Sequence, residues 1–399
     1  MSAQQNATKS AMFGVLFAIS LVHLFNDALQ AVIPASFPIL KESLQLSFAQ
    51  LGFITFMLNL TSSVLQPFVG MYTDKYPKPY LLPLSMVASL AGMIALAFAP
   101  SYSWILLSVV LVGLGSAVFH PGASRVAHMA AGPRRGLAQS IYQVGGNGGQ
   151  ALAPILALIT IYPFGQRGSL WFTLAAAAGC AVLLYITAKY KGQLATGRKK
   201  ATTAKTSNPS GQRRKIVMAV TLVVLLIFGR SWYGAGITNY FIFYLAEAYH
   251  LSASAAQVYI FVYLGAGAVG TFLGGPVADR FGRKTVLFAL LISLPFTLIL
   301  PYAGPMWSYP LLAIIGFIQM SSFSVAVVYV LELIPGRVGT MSGLITGLAF
   351  GMGGLGSVAL GGLIDATNLS FVIKLTSFLP LLGLLTLALP SDRKFAKEA

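Results

Sequence analysis

GGPVADRFGRKTVL, the stretch from Gly274 to Leu287, is charged and rich in glycine, and it separates two long apolar runs. A weaker copy of this stretch, GMYTDKYPKP, begins at Gly70. At a constant offset of 205 residues, the paired positions are Gly70 and Gly275, Asp74 and Asp279, and Glu42 and Glu247. The repeated pattern predicts a duplicated chain whose two halves carry the same loop.

The composition predicts a membrane protein. Hydrophobic residues make up 56% of the 399 residues and charged residues 9%, and the mean hydropathy is +0.78, so too little charge is available to cover a water-soluble surface. Apolar runs of about 20 residues, enough to cross a bilayer, recur along the chain. We predict an all-α membrane protein with twelve transmembrane helices in two six-helix repeats, at residues 12–38, 48–71, 80–99, 103–128, 137–161, 168–189, 216–245, 254–277, 285–303, 309–331, 340–363 and 370–389.

The net charge of +17 is distributed unevenly between the loops on the two sides of the predicted membrane. Counted from a cytoplasmic N-terminus, the inner segments hold Lys9, Lys75, Lys78, Arg134, Arg135, nine basic residues between Lys189 and Lys215, Arg280, Arg283, Lys284, Arg337, Arg393, Lys394 and Lys397. The outer loops hold Lys41, Arg167 and Lys374. Such positive-inside asymmetry predicts a multi-pass membrane protein with both termini in the cytoplasm, and it argues against nucleic acid as a partner.

A polar segment divides the chain at its middle. Residues 190–215 are basic, contain no acid and have low hydrophobicity, which is typical of a solvated linker. We therefore predict an N-terminal six-helix bundle at 1–189, a basic cytoplasmic linker at 190–215, and a C-terminal bundle with a short tail at 216–399. Six spans on each side predict parallel repeats. The first apolar run lacks a small-residue cleavage site, so we expect it to be retained as a helix.

The repeated loop resembles a motif of the major facilitator superfamily. The residues of the C-terminal copy that match are Gly275, Asp279, Arg280, Gly282, Arg283 and Lys284, and the loop falls between spans two and three of each half, as in that family. The N-terminal copy keeps Gly70 and Asp74 but has Lys75 and Tyr76 at the next two positions. An aspartate at a helix end can accept hydrogen bonds from a neighbouring helix, so these residues are predicted to form a conformational latch. The alternative is a charged loop that only fixes topology.

A narrower resemblance points to antibiotic exporters within the superfamily. It rests on LVHLFND at 21–27, GSAVFHPGASRVAHMA at 115–130, GLAQSIYQVGGNGG at 136–149 and LAFGMGGLG at 348–356. The resemblance implies a protein of the inner membrane and proton-coupled efflux of a small anionic phosphonate antibiotic. The sequence also allows a transporter of a native organic anion or sugar phosphate, with drug export incidental.

Asp27 is the acidic residue that lies deepest in a predicted span. An ionised carboxylate at the bilayer centre costs roughly 2.5–3.5 kcal/mol, so such a residue usually faces a cavity or a partner. His23 lies one turn before Asp27 on the same helical face, and Asn26 is its neighbour. We predict that Asp27 and His23 couple transport to protons. The alternative is a purely structural hydrogen bond between helices.

Two arginines complete the predicted binding site. Arg230 lies about 22 Å along span seven from the basic linker, too deep for easy snorkelling, and Arg125 lies nearer the cytoplasm in span four. A guanidinium binds phosphonate or carboxylate through two parallel hydrogen bonds. The predicted substrate-binding residues are Arg230, Arg125, His120, Asn26, Gln143, Asn147, Tyr233 and Tyr240. The amides and tyrosines fit interhelical hydrogen bonds equally well.

Other function classes find little support in the sequence. Four histidines, His23, His120, His128 and His250, lack the spacing of a metal centre or a nucleophile-base set, so we predict neither an enzyme, a cofactor nor a metal site. A single cysteine, Cys180, excludes an intrachain disulfide. A sensor would normally carry a soluble domain, and no loop is long enough for one. We expect a monomer whose partners are a small anionic substrate, protons and the lipid bilayer.

Overall fold

The computed structural model describes residues 12–76, 78–132, 135–195, 210–333 and 338–389. Every predicted span coincides with helix. In the N-terminal half, α1 is Phe13–Ala35, α2 comprises Phe48–Asn59, Leu60–Val64 and Gln66–Lys75, α3 is Leu81–Ala97, α4 is Tyr102–Ala130, α5 is Arg135–Phe164 and α6 is Trp171–Ala195. Short helices at Phe37–Leu44 and Gly165–Leu170 join the longer ones.

The C-terminal half repeats this order. Here α7 comprises Ser210–Ala235, Gly236–Tyr240 and Phe241–Tyr249, α8 is Ala253–Phe281, and α9 comprises Arg283–Ile292, Leu294–Ile299 and Leu300–Tyr302. They are followed by α10 at Gly304–Leu333, α11 at Val338–Ala366, and α12 at Leu369–Thr376 and Leu379–Ala388. The predicted all-α fold is confirmed.

Length and composition support membrane crossing. Eight helical segments of the described chain are long and apolar enough to span a bilayer, and Leu81–Ala97 and Leu287–Tyr302 are shorter apolar helices. Exposed large hydrophobic side chains occur all along the helices, including Phe17, Leu174 and Phe272. Since these faces would be costly in water, they fit contact with lipid.

Helix packing inside each half follows one scheme. In the N-terminal half α1 packs on α5, α2 on α4, and α3 on α6; the equivalent pairs in the C-terminal half are α7 with α11, α8 with α10, and α9 with α12. Glycine allows the closest approaches. A Cβ added at Gly145 or Gly149 of α5 would collide with the backbone carbonyl of Ser20 or Leu24 on α1. The repeated packing agrees with the duplication inferred from the two loops.

Contacts divide the chain into two units. One comprises Met1–Leu46 and Met57–Lys199, and the other comprises Ser47–Phe56 and Lys200–Ala399. The predicted linker at 190–215 lies largely outside the described residues. The first turns of α2 therefore belong to the same unit as α11.

Asp365, at the end of α11, caps the N-terminus of α2. The backbone N–H of Phe48 donates to Asp365 Oδ1 at 3.0 Å, and that of Ala49 donates to Oδ2 at 2.8 Å. The next N–H, at Gln50, donates to the Ser47 hydroxyl at 3.2 Å. Three of the N–H groups that a helix start leaves unpaired are thus satisfied, two of them by a carboxylate with the charge that the helix dipole favours.

We expect Asp365→Ala to destabilise the protein by about 1 kcal/mol, the usual cost of losing a helix N-cap. The measurement is the thermal unfolding midpoint of purified protein in detergent. Glu42→Gln, which removes a negative charge from an exposed side chain, is the control and should leave the midpoint unchanged. Equal midpoints for Asp365→Ala and wild type would show that the cap contributes nothing to stability.

Candidate functional site

Asp27 is the centre of a buried polar cluster in the N-terminal half. Asp27 is 5% exposed. The side-chain amide of Asn26 donates to Oδ1 at 3.0 Å, and that of Gln150, on α5, donates to Oδ2 at 2.9 Å. A buried carboxylate needs such donors, because without them its desolvation would cost several kcal/mol.

Two imidazoles face the same carboxylate oxygen. His23 Nε2 and His120 Nε2 each lie 3.5 Å from Asp27 Oδ1. We refer to Asp27, His23, His120, Asn26 and Gln150 as the Asp27 cluster. The structure therefore places the predicted proton-coupling pair together and adds His120, which the sequence predicted as a substrate ligand.

Backbone carbonyls fix the orientation of both rings. His23 Nδ1 lies 2.8 Å from the Tyr142 carbonyl oxygen, and His120 Nδ1 lies 3.0 Å from that of Ser116. Since a carbonyl can only accept, each Nδ1 must carry a hydrogen. A neutral ring would then direct the Nε2 lone pair towards the carboxylate. The arrangement favours a proton shared between Asp27 and an imidazole, which is what a proton-binding site requires.

The same atoms have the spacing of a small cation site. His23, Asp27 and His120 each offer one possible ligand atom, and these atoms lie within 4.8 Å of one another. The sequence predicts no metal here. Transport measured with and without a chelator separates proton uptake from metal uptake.

Gly146 of α5 leaves the space in which the cluster forms. A Cβ at this position would lie 2.5 Å from His23 Nε2 and 2.9 Å from Asp27 Oδ2, closer than such contacts occur in proteins. We expect Gly146→Ala to destabilise the protein by about 1–3 kcal/mol through overpacking, measured as a lower thermal unfolding midpoint. In Gly148→Ala the new methyl meets only Leu24 Cδ1, at 3.7 Å, so this matched variant should be as stable as wild type or more so. If both variants were equally stable, the site would not be tightly packed.

Arg230 organises a second polar group, in the C-terminal half. Its Nε donates to the Gln319 carbonyl oxygen at 3.0 Å, and its Nη2 donates to Met320 Sδ at 2.9 Å, so α10 fixes the guanidinium. The side chain also lines a small cleft with Ser322 and the apolar residues Leu226, Ile227, Leu287, Leu290 and Ala326. A positive charge is thereby held inside a largely apolar bundle.

Three polar side chains lie in the neighbourhood of Arg230. Tyr233 follows it by three residues on the same face of α7. Tyr263 of α8 directs its hydroxyl to 3.5 Å from Gln319 Oε1 and interacts electrostatically with Arg230 and Tyr233. We refer to Arg230, Tyr233, Tyr263 and Gln319 as the Arg230 cluster.

The other predicted substrate residues lie elsewhere. The hydroxyl of Tyr240 donates to the Ser357 carbonyl oxygen at 2.5 Å, so it joins α7 to α11. On α5, Gln143 is exposed and Asn147 half-buried, and neither makes a side-chain hydrogen bond within the described part of the chain. Arg125 is half-buried on α4, five residues after His120.

The predicted latch is described only in part. Asp74, Gly275, Asp279 and Arg283 lie outside the residues whose surroundings the structure describes. Gly70 approaches Pro121 of α4, and Arg280 is exposed, with its guanidinium 5.3 Å from the centre of the Phe281 ring. Gly282 has φ of 88°, a conformation that favours glycine, and separates α8 from α9.

Lys284, in the same loop, binds the end of α12. Its Nζ donates to the carbonyl oxygens of Leu387 and Leu389 at 3.1 and 2.7 Å. In the described part of the loop, this lysine therefore contacts the carbonyl end of α12.

Sequence reasoning missed Gln150, Tyr263 and Gln319. A signal for Gln150 existed, because Gln143, Asn147 and Gln150 repeat at helical spacing along α5. Gln319 carries an amide inside the apolar run of α10. Because burying a polar side chain in a bilayer costs free energy, its position alone indicates a functional residue. Nothing in the sequence distinguished Tyr263 from other tyrosines.

Comparisons with known proteins agree on one family. The sequence profile of the Major Facilitator Superfamily matches residues 19–358. The chain is 53% identical over 387 residues to the uncharacterised MFS-type transporter YfnC of Bacillus subtilis, covering 96% of this chain and 95% of the relative. It is 49% identical over 395 residues to the fosmidomycin resistance protein of Escherichia coli, covering 98% and 96%.

A solved structure supports the fold. The crystal structure of a bacterial homologue of the human lysosomal transporter Spinster, in an inward-facing and unoccupied conformation, aligns with a TM-score of 0.74 over 97% of this chain and 98% of that one. Its sequence identity is 19%, so the likeness concerns the fold alone.

Proposed function

Because the chain belongs to the major facilitator superfamily and is therefore a multi-pass membrane transporter and not an enzyme, we propose that it exports a small anionic antibiotic of the fosmidomycin type by proton antiport and alternating access. The 49% identity to the fosmidomycin resistance protein supports this choice of substrate. The bacterial transporters among its relatives support an inner-membrane location, and the distribution of basic residues supports a cytoplasmic position for both termini. We propose a monomer, since one chain contains both halves.

The main support for the proposal is the position of Arg230 inside the C-terminal helices. Holding a guanidinium inside an apolar helical bundle is costly, and such a residue in a membrane protein usually marks a substrate or ion pathway. Two acceptors on α10 hold its Nε and Nη2, so the group is oriented before a ligand arrives. A phosphonate would gain charge-assisted hydrogen bonds from it.

The Asp27 cluster supports proton coupling. It brings together one carboxylate and two imidazoles whose Nε2 atoms both face Asp27 Oδ1. Uptake of a proton from outside would neutralise this carboxylate, and release of the proton to the cytoplasm would restore its charge. Alternate access of the cluster to the two sides would therefore link one proton entering to one substrate leaving.

The energetics allow but do not require this coupling. A phosphonate leaving a negative-inside cell gains about 2.3 kcal/mol per charge per 100 mV. One pH unit adds about 1.4 kcal/mol for each proton that enters. An assay of antiport must therefore hold the membrane potential constant.

The test is release of labelled fosmidomycin from proteoliposomes, with the potential clamped by equal potassium and valinomycin. We expect release to accelerate when the external pH is lowered below the internal pH. A release rate that does not change with the pH gradient would contradict proton antiport, but export of fosmidomycin would still be supported. No release beyond that of protein-free vesicles would contradict the substrate, and a native organic anion or sugar phosphate would then be tried in the same assay.

A further inference from the structure

Two buried donors in the Arg230 cluster lack an acceptor. Gln319 is 0% exposed and Tyr233 is 1% exposed. Among the described residues, Gln319 Nε2 and Tyr233 Oη have no hydrogen-bond partner. Buried polar atoms in native proteins are nearly always paired, so two unpaired donors in one cluster indicate a missing acceptor.

The two unpaired donors lie on two different helices of the C-terminal half. Tyr233 lies on α7, and Gln319 lies on α10, where its carbonyl oxygen accepts from Arg230 Nε. Tyr263 of α8 closes the group, because its hydroxyl reaches Gln319 Oε1 and would lie 3.5 Å from a Cβ at Gly234 on α7. Side chains from α7, α8 and α10 thus meet in one cluster of the C-terminal half.

We propose that Gln319, Tyr233 and Tyr263 form with Arg230 a subsite for the oxyanion head group of the substrate. The inference rests on the proposed function and deepens it by naming the residues that recognise the head group. Arg230 supplies the positive charge, Gln319 Nε2 and the Tyr233 hydroxyl supply neutral donors, and the Tyr263 hydroxyl, which donates to Gln319 Oε1, holds the amide in place. A tetrahedral phosphonate has three oxygens and can accept from all of them, whereas a carboxylate has two.

Tyr233→Phe and Gln319→Met test the subsite with little change of shape. Each removes a donor that has no hydrogen-bond partner among the described residues. Tyr233→Phe should therefore unfold at the same temperature as wild type or higher, whereas Gln319→Met also removes the acceptor of the Tyr263 hydroxyl and should unfold at a slightly lower temperature. Each should also raise the KM for fosmidomycin about tenfold or more, because a hydrogen bond to a charged group is lost. A merely structural role would leave the KM of both variants unchanged, and in Tyr233→Phe it would lower the unfolding temperature.

The matched control is Thr187→Val on α6. Thr187 is also fully buried, and its hydroxyl has no partner among the described residues, but it lies in the other half of the chain. Thr187→Val should unfold at the same temperature as wild type or higher, and it should keep the wild-type KM for fosmidomycin. A raised KM in Thr187→Val equal to that of Tyr233→Phe would overturn the assignment to one subsite.

A binding measurement separates this inference from the choice of antibiotic. Methylphosphonate should raise the thermal unfolding midpoint of detergent-purified wild type, and Gln319→Glu, which places a carboxylate next to Arg230, should abolish that shift. If methylphosphonate stabilises wild type but fosmidomycin is not transported, the proposed substrate is wrong and the oxyanion subsite is still supported. If both Tyr233→Phe and Gln319→Met transport fosmidomycin with the wild-type KM, the subsite is wrong and the proposed function is still supported.

Discussion

Arg230→Gln is expected to reduce fosmidomycin release to the level of protein-free vesicles. The glutamine keeps hydrogen-bonding capacity but removes the positive charge that the proposal assigns to substrate binding. A charge-assisted bidentate pair is worth roughly twice a neutral hydrogen bond, or about 3 kcal/mol, which corresponds to a loss of at least 100-fold in transport efficiency. The measurement is the initial rate of release at several internal concentrations of labelled substrate.

Two further variants make this result specific. Arg230→Lys keeps the charge but not the planar fork, so it should retain partial transport with a raised KM. Arg167→Gln removes the same charge from an exposed side chain of the N-terminal half and should transport like wild type. Full activity in Arg230→Gln would remove Arg230 from the binding site and with it the main support for an anionic substrate.

The fold could be predicted because a bilayer leaves few choices. Backbone groups in lipid must be satisfied within the segment, so an apolar run of about 20 residues becomes a helix. The repeat of Gly70 and Asp74 at Gly275 and Asp279 indicates two halves from the sequence alone. Breaks inside helices escaped prediction, because the π-helical segments Leu60–Val64 and Gly236–Tyr240 depend on packing and have no periodic signature.

The Asp27 cluster could be predicted only where its members share a helix. His23 and Asp27 lie four residues apart, so helical geometry alone places them on one face. His120 and Gln150 reach Asp27 from α4 and α5, and their approach depends on Gly146, whose missing side chain leaves room for the cluster. Contacts between helices that are far apart in sequence cannot be read from one sequence without an alignment.

The Arg230 cluster illustrates a different limit. Arg230 was identifiable because its charge is anomalous in a span, and Tyr233 because it follows on the same face. Gln319 became informative only when the structure showed its amide buried without an acceptor. Hydrogen-bond satisfaction is a property of the packed structure and has no counterpart in composition or spacing.

Asp27→Asn should remove the response to the pH gradient while leaving substrate binding intact. The amide has nearly the shape of the carboxylate but cannot take up a proton between the two imidazoles. With the potential clamped, wild type gains about 1.4 kcal/mol per proton for each unit of pH gradient, whereas the variant should release fosmidomycin at one rate at all external pH values. Exchange of labelled for unlabelled substrate at equal pH needs no net proton movement, so the variant should keep it.

Comparison of these two assays decides what Asp27 does. Loss of both release and exchange would mean that the carboxylate holds the N-terminal half together, whereas a gradient response that survives in Asp27→Asn would place the coupling proton elsewhere. Glu42→Gln, at an exposed position, controls for the loss of one acidic group. Because His23, Asp27 and His120 also have the spacing of a cation site, both assays are repeated with EDTA. Wild-type rates that EDTA leaves unchanged exclude a chelatable metal held by the same three side chains, and the response to the pH gradient then assigns the coupling to the proton.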